Sequence, residues 1–353
     1  MRALTPAARA ALAATLAIGL LAGCGGAADP EPTAATETVE PDTGVDKSAA
    51  PEPVLPATWP LTGVEGEIEE RPAVAVKIEN SPQARPQTGL EAADVVWEEM
   101  VEGGITRFNA VYHSQIPETV GPIRSVRPMD AGIAAPLQGL IAFSGGQGPF
   151  VQRMRDAGLQ VLSQDEGAPG FSRSSERRAP HNVYGAVNEF LAAAEPGRPV
   201  PPAQFAFAPS AEEATTATAG APAARLVTAF PQHVPSWDWD AEGGRWLRNE
   251  GSAEAVGAGG ERLGATTVVV MRVEVVSSGA LDPAGNPVPE TVLSGSGEAI
   301  VASGGATVTG TWSKAGDGDP VVLTGGDGQP IQLAPGNVWV ELVPTSGGNV
   351  EIS

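Results

Sequence analysis

Between Gly121 and His181 the chain carries seven arginines, five acids and no lysine. The arginines gather in two motifs, Gly121-Pro122-Ile123-Arg124-Ser125-Val126-Arg127-Pro128 and Phe171-Ser172-Arg173-Ser174-Ser175-Glu176-Arg177-Arg178-Ala179-Pro180-His181-Asn182-Val183-Tyr184. A guanidinium offers a planar fork of donors that matches phosphate or carboxylate oxygens, which an ammonium does not. Between the motifs lies Ser144-Gly145-Gly146-Gln147-Gly148, after a strand-like run and before a helix-like one. A glycine-rich turn in that position exposes backbone N–H groups at a helix N-terminus. Arg124, Arg127, Arg173, Arg178, His181, Asn182, Gly145 and Gly146 are therefore the candidate ligand-binding residues, for an anionic group. The competing arrangement pairs the same arginines with acids such as Glu98, Glu102 and Asp130, as scaffold.

Other groups carry less chemistry. Glu98 and Glu99 would point to opposite faces of a strand and so do not form an acid–base pair. Glu98 or Glu102 is expected as an arginine partner, and Glu99 as solvated. His113, His181 and His233 lack the spacing of helical metal motifs, and no phosphate loop, nucleophile elbow or zinc signature is present. No metal and no cofactor are expected, and the catalytic residues, if any, are unknown. Ser125 lies between two arginines without an identified base. Trp237, Trp239, Trp246, Trp312 and Trp339 are expected to pack a core and its rim; a sugar-stacking surface is the alternative.

The elements that must position these groups fall into two regions. From Trp59 to about Phe190, strand patterns at 73–78, 94–98, 106–112 and 140–143 alternate with helix patterns at 129–137, 149–157 and 184–194. Gly103-Gly104 reads as a hairpin turn. Beyond residue 223 the helical signal vanishes. Short strand patterns follow at 225–230, 237–239, 245–248, 266–276, 299–301, 306–312, 321–323, 331–333 and 337–343, separated by Gly, Asp and Asn turns. The expected fold class is α+β: a mixed α/β N-terminal domain over 59–194, a linker or surface excursion over 195–223, and a β-rich C-terminal domain over 224–353.

The start of the chain reads as a lipoprotein signal peptide over 1–23. Arg2 and Arg9 precede an apolar run, Ala10 to Leu21, which ends in Leu21-Ala22-Gly23-Cys24. Cys24 is the sole cysteine, which excludes an intrachain disulfide and suits it to lipidation. Residues 24–58, rich in Ala, Pro, Thr and acids, read as a disordered tether. A net charge of −21 argues against nucleic acid as a partner. The expected location is the extracytoplasmic face of the cell membrane, with the membrane reached through lipidated Cys24.

Several motifs together resemble the YerB-like lipoprotein family, over roughly residues 60 to 344. They include Arg71-Pro72-Ala73-Val74-Ala75-Val76-Lys77-Ile78-Glu79-Asn80, Ala84-Arg85-Pro86-Gln87-Thr88-Gly89-Leu90, Ala93-Asp94-Val95-Val96-Trp97-Glu98 and Glu102-Gly103-Gly104-Ile105-Thr106-Arg107-Phe108. The segments Gly121–Pro128 and Arg178–Tyr184 above, with Gly295-Ser296-Gly297, Gly310-Thr311-Trp312 and Pro335-Gly336-Asn337-Val338-Trp339, complete the match. The resemblance implies a lipoprotein with an α+β first domain and a β-rich second one, and no established activity. Over Arg85 to Arg127 the chain is also loosely similar to the LytR-CpsA-Psr envelope proteins, which use arginine to hold a polyprenyl-linked pyrophosphate; their Pro-Arg-Asp motif is absent here. The function expected is a non-enzymatic envelope lipoprotein that binds an anionic envelope ligand. An enzyme acting on a phosphate-bearing envelope substrate, or a protein-interaction module on the β domain, is the alternative; protein partners are unknown.

Overall fold

The computed structural model describes residues 57–353. The signal peptide, Cys24 and nearly all of the tether lie outside the described residues.

Runs of β-branched residues make the centre of the molecule. The first half supplies β1 (Val74–Glu79), β2 (Val95–Met100), β3 (Thr106–Tyr112), α1 (Asp130–Ala134), β4 (Leu140–Phe143), α2 (Gly148–Asp156), β5 (Gln160–Ser163), β6 (Phe171–Arg173), β7 (Val183–Gly185) and α3 (Val187–Ala192). The second half begins with α4 (Thr215–Ala219), β8 (Ala221–Pro222), β9 (Arg225–Ala229), β10 (Pro235–Asp240), β11 (Arg245–Glu250), β12 (Ala253–Glu254) and β13 (Gly264–Ala265). It ends with β14 (Thr267–Leu281), β15 (Pro287–Val292), β16 (Gly295–Ser303), β17 (Ala306–Lys314), β18 (Val322–Gly325), β19 (Val338–Pro344) and β20 (Asn349–Ile352). A mixed first region and a mostly sheet second region are what the sequence predicts.

The two regions share one sheet. Twelve strands run in the order β18-β17-β16-β14-β19-β2-β3-β1-β4-β5, with β15 added to β14 and β8 to β17. The seam is a parallel pairing of β19 with β2, which sets Glu341 beside Glu98. All seven residues of β19 are buried, as a strand covered on both faces requires. On one face lie α1, α2 and the ring of Phe205, stacked on Trp97 with centroids 6.1 Å apart. On the other lie α3 and a six-stranded sheet, β12-β11-β10-β9-β20 with β13, whose Trp237 packs edge-on against Trp339.

Three local differences from expectation have physical reasons. Residues 195–223, expected as a linker, carry α4, and the buried Phe205 pins them to the core. The helix expected over 184–194 starts only at Val187, because Val183–Gly185 pairs with β6 as a strand. Residues 331–333 form no regular strand; the Phe207–Leu333 bridge and a hydrogen bond from the Ile331 N–H to Leu323 O tie them to the body.

Candidate functional site

Side chains alternate across a strand, so one face of β1, β2 and β3 collects a set of charged groups. In register, Glu79 on β1 lies opposite Arg107 on β3, and Arg107 lies opposite Glu99 on β2. One row inward, Asn109 faces Lys77 on one side and Trp97 on the other. Lys77, Glu99 and Asp130 are completely buried. The Lys77 ammonium donates to Glu99 and, at 2.8 Å, to Asp130 Oδ1, which also accepts from Asn109 Nδ2 at 2.9 Å. Burial, and then the neighbouring Asp130, push the Glu99 carboxyl up to about 7. Glu99 is thus not the solvated residue expected: its strand parity turns it into the core, where Lys77 meets it.

The first arginine motif lies along the end of β1. The Glu79 N–H donates to Pro122 O at 2.9 Å and the Arg124 N–H to Lys77 O at 2.8 Å. On its other side, the Ser144 N–H donates to Arg124 O and the Val126 N–H to Gly145 O. The glycine-rich turn after β4 therefore sits against Ser125. Gly145 has a φ of +91°, and a Cβ there would come within 2.4 Å of Ser125 Oγ, so glycine is required on both counts.

This layout brings Arg124 and Arg127 to the buried Arg107. Arg127 is neutralised: its Nε and Nη2 reach the two oxygens of Glu102 at 2.5 and 2.7 Å. Arg124 Nε lies 3.5 Å from Glu79 Oε2 and makes no hydrogen bond. Arg107 donates from Nη1 to Ser125 O at 2.8 Å, while its Nε is buried without a partner. Among the described residues, no ion pair engages Arg107. Burial, then Arg127 and Arg124, lower its guanidinium to about 10.

The second motif closes the rim. His181 Nδ1 lies 2.9 Å from both oxygens of Glu79, which also accepts from Ser81 Oγ at 2.8 Å. Asn182 Oδ1 accepts from Arg173 Nη1 at 3.0 Å. Ser144 Oγ donates to Gln164 Oε1 at 3.2 Å, an oxygen that Arg173 Nη2 approaches at 3.4 Å. Arg124, His181 and Gly145 thus come together around Glu79 and Ser125, with Arg173 and Asn182 at the edge. Arg127 turns to Glu102, and Arg178 is exposed on the loop. Sequence reasoning missed Arg107 and Glu79. The available signal was the period-two pattern of 106–112, which puts Arg107 on the same face as Val111.

A second buried network joins the two regions. Arg248 on β11 is fully buried, with Glu98, Glu250 and Glu341 at 2.7, 2.9 and 2.8 Å. The rings of Trp339, Trp237 and Phe108 lie 4.9, 5.3 and 5.4 Å from its guanidinium carbon. His233 bridges Glu98 and Glu250 at 3.3 and 3.1 Å. Trp237, Trp246, Trp312 and Trp339 are core residues, and Trp239 is half-buried. His113 is buried against the Arg71 backbone, and burial lowers it to about 4.

Two clefts of about 490 and 410 Å³ lie away from the Arg107 cluster, one beside Arg272 and Trp312, the other beside Trp59 and Arg245. Among the described residues, no three His, Asp or Glu side chains are grouped to hold a metal ion, and no helix is long and apolar enough to cross a membrane.

Two family models match the chain. Residues 61–199 match the N-terminal domain of a protein of unknown function, DUF3048, and residues 226–340 match its C-terminal domain. The chain belongs to the DUF3048 family. The curated "Putative lipoprotein YerB" of Bacillus subtilis (strain 168) is 37% identical over 153 residues, 42% of this chain. That alignment spans 46% of the relative's own length. The crystal structure of YerB protein from Bacillus subtilis superposes with a TM-score of 0.69 at 22% identity, covering 84% of this chain and 99% of that one, which shows the shared fold. In DUF3048 terms, the whole Arg107 cluster lies in the N-terminal match, and Arg248 lies in the C-terminal one.

Proposed function

We propose that this DUF3048 protein is a lipid-anchored, extracytoplasmic binding protein whose first region holds an anionic group of a cell-envelope component. One observation carries the reading: the Nε atoms of Arg107 and of the neighbouring Arg124 are each buried without a hydrogen bond. A buried donor left unpaired costs roughly 1–3 kcal/mol, and more when charged, unless an acceptor arrives. An anion seated on these two arginines supplies that acceptor. The anchor rests on Leu21-Ala22-Gly23-Cys24 and on the absence of any other cysteine.

Titration of the full chain with inorganic phosphate tests the site. The wild type is expected to bind, and R107Q and R124Q are each expected to bind at least about tenfold more weakly, the worth of a charge-assisted hydrogen bond. A folded R107Q with unchanged affinity sinks the reading. For the anchor, C24A is expected to move the protein from the membrane to the soluble fraction; retention of the variant would refute lipidation there. A rival reading, an enzyme on a phosphate-bearing envelope substrate, draws on the His181–Glu79 contact, since a carboxylate-held imidazole is a common general base. Phosphate-ester turnover by the wild type, lost in H181N, would favour that rival.

A further inference from the structure

The cleft of about 410 Å³ beside Trp59 and Arg245 lies where the two regions of the chain meet. Trp59, Glu91, Asp94 and Gln115 come to it from the first region, Arg245 and Asn337 from the second. Its volume falls within the range of small-molecule sites, and such sites favour the junction of two parts of a fold. We propose that this cleft binds a saccharide, a neutral pyranose held between the Trp59 ring and the Glu91, Asp94 and Arg245 side chains. The site is separate from the Arg107 cluster and does not depend on the anion-binding reading.

The lining groups are held in place without a ligand. Asn337 Nδ2 and Arg245 Nη2 both donate to Gly264 O, at 2.9 and 2.6 Å, and Asn337 Oδ1 accepts from the Thr266 N–H at 3.0 Å. This fixes the Arg245 guanidinium and leaves its Nε buried without a partner. The Asp94 carboxylate accepts from the His113 and Ser114 N–H groups at 2.6 and 2.8 Å, and from Ser114 Oγ. The Trp59 backbone closes a turn, donating to Val64 O and accepting from the Gly63 N–H, both at 2.8 Å. Its half-buried ring has the Arg71 guanidinium carbon 5.9 Å from its centre and the His113 ring edge-on at 5.1 Å. Groups ordered in advance lose little further freedom when a ligand binds.

The charges select the ligand. Arg245 lines the cleft together with Glu91 and Asp94, and among the described residues no ion pair joins it to either. An anion would meet two carboxylates; a cation would meet Arg245, with Arg71 against the indole. An ion of either sign is therefore opposed. A hydroxyl carries no charge, donates once and accepts twice, so it serves a carboxylate and a guanidinium alike. The exposed amide of Gln115 adds a further donor and acceptor. The indole supplies an apolar surface, which the C–H face of a pyranose covers and the charged head of a zwitterion does not.

Calorimetric titration of the full chain tests this. The probes are the methyl pyranosides of glucose, galactose, mannose and N-acetylglucosamine, with acetate, methylammonium and glycine as the charged comparisons. At least one pyranoside is expected to bind with a dissociation constant of about 1 mM or below, and none of the charged probes as tightly. W59A and E91Q are each expected to weaken that binding by about tenfold, the worth of a stacked aromatic ring or of a charge-assisted hydrogen bond. Glu91 is exposed, so E91Q leaves the core untouched and decides alone should W59A fail to fold by circular dichroism. Failure of all four pyranosides to bind overturns the saccharide site. Tighter binding of a charged probe overturns the ligand class, and an affinity unchanged in a folded variant overturns the placement in this cleft.

Discussion

Arg248 and Arg107 are both buried on β-strands, yet their surroundings are opposite. Arg248 is enclosed by three carboxylates and three aromatic rings. Burial alone would lower its pKa; Glu98, Glu250 and Glu341 outweigh burial and raise it. Arg107 donates to one backbone carbonyl and makes no ion pair; burial, then Arg127 and Arg124, outweigh Glu102 and Glu79 and lower its pKa to about 10. The acids show the same contrast: Glu341 is pushed well above the usual carboxylate range by burial and by Glu98, in a group of acids that Arg248 shares with His233. One network supplies its own counter-charge and joins two regions of the chain. The other leaves the Arg107 guanidinium without an ion pair among the described residues. A guanidinium's burial thus says little about its role until its partners are counted.

The hardest way to break the contrast is R248M. Removing the cation leaves Glu98 and Glu341 buried together without it, and about 3–5 kcal/mol of stability should go, read as a shift in the urea midpoint. A loss under about 1 kcal/mol, the scale of an exposed ion pair, would show that the network is not what joins the two regions.

K77M probes a compensated cation on the face that carries Arg107. It strands Asp130 and Glu99 in the core, so a loss is again expected, toward the lower end at about 3 kcal/mol. The smaller effect follows because Glu99, already pushed up to about 7 by burial and Asp130, can take a proton and neutralise itself. A loss larger than that of R248M would place the main electrostatic anchor in the first region instead.

How much of this was legible follows the range of the interactions. The strands at 73–78, 94–98, 106–112 and 140–143 are set by β-branched content and period two, and the structure has them within a few residues. The parallel seam of β19 on β2 joins residues more than two hundred positions apart, and no local pattern encodes such a partner. Its trace was the unbroken apolar run Val338-Trp339-Val340, the mark of a strand buried on both faces. Arginine clustering drew the eye to 121–184 and to Arg124 and His181, which the structure sets around Glu79. It passed over Arg107, the sole arginine of its strand, which lies within the family motif Glu102–Phe108 but in no arginine cluster. Isolation in sequence is what a residue shows when its neighbours arrive from other strands.

A gentler perturbation of the Arg248 network is pH. Burial would lower His233, but hydrogen bonds to Glu250 and Glu98 outweigh it and hold its pKa above the ordinary 6.5. The folded chain therefore keeps a proton that the unfolded chain releases near 6.5. That stabilisation is complete below 6.5 and is lost as pH rises through the folded-state value. Urea midpoints should fall as pH rises above about 6.5 in the wild type, and the fall should shrink in H233Q. An equal slope in both would assign the pH response to other groups.

The smallest effect on stability sharpens the comparison most. R107Q removes a buried charge that no carboxylate engages, so the fold loses little beyond the hydrogen bond to Ser125 O, worth about 1 kcal/mol, and it is relieved of repulsion from Arg124 and Arg127. The urea midpoint should therefore stay put or rise, although the substitution lies as deep in the protein as many core residues. The matching change in the other network, R248M, should be ruinous. If R107Q instead costs several kcal/mol, Arg107 is scaffold, some acid engages it in solution, and the two arginines differ only in how visibly they are paired. If it costs nothing while phosphate binding disappears, burial of an uncompensated guanidinium serves the ligand and not the fold.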